Sequence, residues 1–196
     1  MASDAKFVLS RVPTGSGRVL DAGGGRGRLC GPLEARGYRY TNVDVTDDPG
    51  PRGLRADIHH LPFADASFDL VVSSDSLEHF ADPDRAVAEL RRVLANDAPM
   101  VIWVPFLHPF HGDDYYRYTP LGLERLLGDH GFSIRSIEAP LGAASVVGQI
   151  LVEAARRIGL GRLEGAIERS AEAVDRSVNR GGRRMGFATH FLVVAS

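Results

Sequence analysis

Apolar positions along the chain follow two alternating rhythms. Short, nearly continuous apolar runs near 18–22, 39–44, 54–56, 68–73, 98–104, 131–138 and 187–194 predict buried strands. Between them the spacing turns helical. Asp82 and Pro83 open a segment in which Ala86, Val87, Leu90, Val93 and Leu94 share one face, with the aspartate as N-cap and the proline at the first helical position. Thr119 and Pro120 open another in the same way, with Leu123, Leu126 and Leu127 inward and Gly131 as the stop. Helical patterns near 143–158 and 163–178 precede the last strand. Such alternation predicts an α/β fold, a mostly parallel sheet covered on both faces.

Two stretches break the rhythm. Residues 45–56 hold two prolines and two glycines, which predicts a loop where a crossover helix would otherwise stand. Pro32 falls inside the first crossover helix, where it removes a backbone donor and shortens or kinks it.

Candidate chemistry starts where the first strand ends, at Asp21-Ala22-Gly23-Gly24-Gly25-Arg26-Gly27. Gly23, Gly25 and Gly27 allow a tight turn and close approach of backbone to a ligand. Asp44 ends the second strand 23 residues beyond Asp21. A carboxylate about 20 residues past a glycine loop is placed to accept hydrogen bonds from ribose hydroxyls, so the ligand is read as a nucleoside. A dinucleotide loop would carry its third glycine at position 28, which is Arg28. A carboxylate at Asp21 would repel a phosphate and attract an ammonium group.

This loop resembles the first motif of the class I S-adenosylmethionine-dependent methyltransferases, small-molecule (type 11-like) branch. The likeness continues through Ala56-Asp57-Ile58-His59-His60-Leu61-Pro62-Phe63 and through Ser67 to His79, then along Arg85 to Leu94 and Pro99 to Pro105, and spans roughly residues 17–138. It implies a Rossmann-like, doubly wound seven-stranded sheet whose antiparallel last strand inserts beside the fifth. It also implies S-adenosylmethionine as cofactor and S-adenosylhomocysteine as product. On the matching positions, Asp21 would lie near the methionine ammonium, with Gly23, Gly25 and Gly27 along the methionine and ribose. Asp44 would bind the ribose hydroxyls, Asp57 the adenine amino group, and Ile58 would flank the ring. Ser73 or Ser74 would offer a backbone carbonyl, and His79 would take a cofactor-side or architectural role. Asn96-Asp97-Ala98 departs from the double glycine usual before the fifth strand.

Composition narrows the setting. The 196 residues suit one domain able to bury a sizeable core. With 23 basic and 25 acidic side chains there is no global attraction to nucleic acid or anionic membrane. The single cysteine, Cys30, makes no internal disulfide and is expected to be inert. The longest apolar stretch, 139–152, is too short to span a bilayer, and no signal or lipidation motif opens the chain, so a cytoplasmic protein is expected.

The acceptor side is sought in 105–119, which leaves the carboxyl edge of the fifth strand, where open α/β sheets bind ligands. Its histidines, aspartates and tyrosines predict a substrate-facing loop. His108 and His111 are candidate general bases, Tyr115 or Tyr116 could stack on a ring, and Arg117 could bind an acidic group. A divalent ion on His108, His111, Asp113 and Asp114 is chemically conceivable, but a polar loop meets that description without one and no metal is expected. Ala143, Val146, Val147, Ile150, Leu151 and Ala154 form a wide apolar face that could cap the site or pair with a second subunit. The basic run Arg176, Arg180, Arg183 and Arg184 follows several acids and is read as a solvated loop.

The expectation is therefore one methyltransferase domain over 1–196, with a cofactor half at 17–104, a substrate loop at 105–119 and a helical cap at 140–185. It would methylate an oxygen or nitrogen of a small metabolite, a saccharide or secondary-metabolite intermediate. Two alternatives stand beside it: an enzyme using the bound sulfonium for a non-methylating reaction, and a non-catalytic cofactor-binding subunit. Nicotinamide-dependent oxidoreduction ranks last because of Arg28.

Overall fold

The computed structural model describes residues 2–110, 112–178 and 187–196, with side chains from Ala5 onward. The elements run α1 Ala2–Arg11, β1 Gly17–Ala22, α2 Cys30–Glu34, β2 Tyr38–Asp44, β3 Gly53–Arg55, β4 Leu70–Ser74 and α3 Pro83–Val93. They continue with β5 Met100–Pro105, α4 Pro120–Asp129, β6 Ile134–Glu138, α5 Ala143–Arg157, α6 Glu164–Val178 and β7 His190–Ala195. The strands form one sheet in the order β3-β2-β1-β4-β5-β7-β6. Strands β1 to β5 pair in parallel, and β7 runs antiparallel to both β5 and β6, inserted between them.

Both faces of the sheet are buried, which is why its central strands read as continuous apolar runs. Along β5, Met100, Ile102 and Val104 point into a core shared with α3 and α4, while Val101 and Trp103 point into a second core with α1 and Leu33 of α2. Trp103 is fully buried and stacks on Phe7 at 5.1 Å. Each such large side chain contributes about 1.5–3 kcal/mol by leaving water.

The caps form as expected: Asp82 accepts from the Arg85 amide at 3.0 Å, and Thr119 from the Gly122 amide at 3.1 Å. Pro32 leaves α2 only five residues long, and 45–52 contains no helix. Helix α1 was not expected, because Phe7-Val8-Leu9 gives a run rather than a helical stripe. Helices α5 and α6 pack on each other over the carboxyl edge. Asp175 of α6, 4% exposed, accepts from the amides of Gly142 (2.8 Å), Ala144 (3.1 Å) and Ser145 (2.9 Å), and so caps α5 from across the pair.

Candidate active site

The glycine loop is clamped from below. Asp21 is fully buried, and its Oδ2 accepts from the Tyr40 hydroxyl at 2.6 Å. Its Oδ1 has no hydrogen-bond partner among the described residues. Burial pushes the Asp21 carboxyl up to about 6, against the Tyr40 hydrogen bond and the charge of Arg28. A Cβ at Gly24 would lie 2.4 Å from Asp21 Oδ2, so only glycine lets the loop pass over this acid. At Gly25, with φ +55°, a Cβ would meet nothing within 4 Å, so the space above the loop is open.

Asn42 is a second clamp, and sequence reasoning missed it. Fully buried in β2, it accepts from the Gly24 amide at 3.1 Å and donates to the carbonyls of Gly25 (2.7 Å) and Pro49 (2.8 Å). The available signal was a lone amide inside an apolar strand. Asp44 receives the Gly25 amide at 2.8 Å on Oδ2 and the Thr46 amide at 2.9 Å on Oδ1, which fixes the carboxylate while leaving a lone pair on each oxygen for a ligand hydroxyl. Asp57 is exposed and caps a short 3₁₀ turn, accepting from the His59 amide at 2.9 Å; that bond leads the set that holds its carboxyl below the usual range. Ile58, 5% exposed, packs mainly into the core.

At the end of β4, Ser74 Oγ and Asp75 Oδ2 both accept from Arg28 at 2.8 Å. Arg28, the residue that breaks the dinucleotide pattern, thus ties the loop before α2 to the end of β4. Asp75 holds φ +51°, an uncommon conformation for a residue with a Cβ.

The loop 105–119 splits in two. His108 turns to the carboxyl edge, with its ring 4.9 Å from that of His190, edge to face. Phe110 is 83% exposed and carries the Arg117 guanidinium 5.2 Å from its ring centre. His111 lies outside the described residues. Beyond it, the Tyr115 and Tyr116 amides donate to the Glu78 carbonyl at 2.9 and 3.2 Å, fastening this part of the loop over the turn after β4. The Tyr115 ring is 59% exposed and does not line the cavity described below, so its expected place at the acceptor is not where the structure puts it. Arg117 is engaged by Asp114 at 2.6 Å rather than held open for a substrate acid.

His79 also sits away from that cavity. It lies 3.6 Å from Glu78 and 3.5 Å from Asp114, and the donor atoms of these three residues fall within 4.8 Å of one another. These three form a group able to hold a metal ion among the described residues, whereas the set His108, His111, Asp113 and Asp114 includes a residue outside them. Burial pushes the Glu78 carboxyl up to about 8, and the nearby Asp75 and Asp114 charges add to the shift.

A cavity of about 680 Å³ opens along the carboxyl edge. One wall is Gly23 to Gly25 with Arg26 and Arg28; the floor is Ser74, Asp75, His108 and His190. The roof comes from α5 and α6, including Ser145, Gln149, Val152, Glu168 and Ala171. A Cβ at Gly148 would stand 2.8 Å from Ala171 Cβ, so the two roof helices close tightly there. An open space over the glycine loop, a buried acid with an unpartnered oxygen beneath it and a fixed carboxylate at Asp44 suit a nucleoside bearing a cationic amino-acid tail.

Residues 20–102 match the family model described as methyltransferase domain. An uncharacterized methyltransferase of Mycobacterium sp. (strain KMS) is 32% identical over 163 residues, covering 71% of this chain; the chain spans 64% of that relative's length. The chain carries a class I S-adenosylmethionine-dependent methyltransferase domain. S-adenosylmethionine is the cofactor of that family. Solved structures agree on the fold of the methyltransferase domain. An S-adenosylmethionine-dependent methyltransferase from Mesorhizobium loti superposes with a TM-score of 0.65 at 20% identity, covering 97% of this chain and 95% of its own. The [4+2]-cyclase SpnF gives 0.68 at 21% identity, covering 97% and 78%. No helix among the described residues is long and apolar enough to cross a membrane.

Proposed function

We propose that the protein moves the methyl group of S-adenosylmethionine to an oxygen or nitrogen of a small molecule seated under α5 and α6. The observation that carries this reading is the shape of the cavity: its wall is the glycine loop and its roof is a pair of helices outside the family-matched segment. The bound cofactor would supply an already activated methyl carbon, so the chain's own task is to orient the acceptor and take its proton, and orientation alone is worth several kcal/mol.

In this reading Asp44 holds the ribose, Asp57 and Ile58 flank the adenine, and Ser74 and the glycine loop meet the methionine end. Asp21 packs beneath Gly24 of the loop, its Oδ1 without a hydrogen-bond partner among the described residues. The chain works as one unit, in the cytoplasm and without a nucleic-acid partner. Val147, Ile150 and Leu151 of α5, each more than half exposed, suit contact with a second copy.

Product analysis tests the reading. Protein incubated with S-adenosylmethionine and a small-metabolite extract should release S-adenosylhomocysteine together with a product 14 mass units heavier than its precursor. Conversion of a metabolite without S-adenosylhomocysteine would favour the non-methylating alternative.

A further inference from the structure

The turn that follows β3 holds one oxygen of a carboxylate twice and leaves the other open. β3 pairs with β2 so that Arg55 lies beside Asp44, and the Ala56 amide donates to the Asp44 carbonyl at 3.1 Å. Asp57 therefore leaves the sheet next to Asp44, at the carboxyl edge. Its Oδ1 accepts from the His59 amide at 2.9 Å and lies 2.6 Å from Nδ1 of the His59 ring. The other ring nitrogen, Nε2, lies 3.3 Å from the amide nitrogen of Asp82, which can only donate. Nε2 is then the acceptor, so the neutral ring carries its proton on Nδ1 and donates it to Asp57. Asp57 Oδ2 makes no hydrogen bond among the described residues, and the side chain is 54% exposed.

The ring that does the holding is itself fixed. Only 18% exposed, it meets Phe80 edge to face at 6.2 Å and 74°. The His59 carbonyl accepts from Arg85 Nε at 3.2 Å, and the Arg85 guanidinium lies 3.0 Å from His60 Nδ1. Asp82, whose amide faces Nε2, is the N-cap of α3. The turn is thus pinned to the start of α3. A carboxylate bonded through one oxygen to two donors cannot rotate about its Cβ–Cγ bond without breaking both, so Oδ2 stays in one place. Kept ionised chiefly by the His59 amide, it offers lone pairs and no hydrogen. Such an oxygen accepts from a base that presents an amino group and repels one that presents a carbonyl oxygen.

We infer that His59 is a positioning residue that sets the base specificity of the cofactor site: it turns Asp57 so that Oδ2 meets the amino group of adenine and rejects a base with an oxo group in its place. This rests on the cofactor reading above, in which Asp57 flanks the adenine. His59 does not touch the base; it acts through the carboxylate it holds. The role separates from support of the turn. The bond from the His59 amide to Oδ1 belongs to the backbone and survives a change of side chain, whereas the Nδ1 donor does not.

The test uses S-adenosylhomocysteine and its deaminated analogue S-inosylhomocysteine, which carries an oxo group where the adenine carries its amino group. Each is titrated calorimetrically into wild type, His59→Leu, His59→Asn and Asp57→Asn, with thermal midpoints measured alongside. Wild type should favour the adenosyl ligand at least about tenfold. His59→Leu should cut that preference at least about fivefold, and His59→Asn, whose amide nitrogen stands close to the place of Nδ1, should restore it to within about threefold of wild type. Asp57→Asn gives the sharpest outcome. Its amide oxygen is held by the two His59 donors, so its NH₂ group takes the place of Oδ2 and the preference should invert toward the inosyl ligand. The Asp57 side chain is exposed, so this variant keeps the test intact if His59→Leu fails to fold. An unchanged preference in His59→Leu, no restoration by His59→Asn, no inversion by Asp57→Asn, or equal binding of both ligands by wild type would each overturn the inference. Failure of the wild type to bind S-adenosylhomocysteine would instead overturn the methyltransferase reading.

Discussion

In the proposed reading Asp44 links the backbone to the ligand. Each of its oxygens is already fixed by a backbone amide, so it would meet ribose hydroxyls without paying to be ordered. Asp44→Ala should weaken S-adenosylhomocysteine binding by about 1–3 kcal/mol, roughly 5- to 150-fold; an unchanged dissociation constant would remove the assignment. Glu78 makes a different, pH-dependent prediction. Burial, with some help from the Asp75 and Asp114 charges, raises its carboxyl from 4.5 to about 8 in the folded protein. The unfolded chain loses that proton near pH 4.5 and the folded chain keeps it to about pH 8, so this group's contribution to stability is fully present below about 4.5 and is lost as pH rises to about 8. Glu78→Gln has no proton to lose. Its urea midpoint should therefore rise relative to wild type between pH 5 and pH 9, whereas a constant difference would contradict the raised carboxyl. The residues legible in the sequence, Asp21, Asp44 and the glycines, are those whose spacing lies within one strand–loop–strand unit. Asn42, Arg28 with Asp75, and His190 were not legible as site residues, because their partners are brought to them only by the sheet.

The elements repeat this division. Strands and caps followed from local pattern, since apolar runs, Asp82-Pro83 and Thr119-Pro120 each act within a few residues. The shortening of α2 followed from Pro32 for the same reason. Helix α1 was missed because its helical state depends on a tertiary surface: Phe7 and Val8 complete the core on the face of the sheet that α2, cut short, leaves open. The helical cap was legible as two helices, but not the means by which they are locked. Asp175 replaces the missing first-turn partners of α5 with three charge-assisted bonds from a neighbouring helix. Asp175→Ala should cost about 2 kcal/mol in urea denaturation. An unchanged midpoint would mean that α5 is held by apolar packing alone.

In the molecule as a whole, the β7 insertion shapes the candidate site. A parallel sheet alone offers the carboxyl ends of β1 to β5 as a ligand edge; the antiparallel β7 brings a strand beginning to that same edge and carries His190 there. The roof of α5 and α6 then encloses the space between the glycine loop and that histidine. Everything in this account depends on the loop holding S-adenosylmethionine rather than a dinucleotide. Calorimetric titration of the purified protein with S-adenosylhomocysteine and, separately, with NAD distinguishes the two. The account predicts saturable binding of S-adenosylhomocysteine, at a micromolar dissociation constant corresponding to about −8 kcal/mol, and no heat from NAD. Binding of NAD, or of neither ligand, would contradict it.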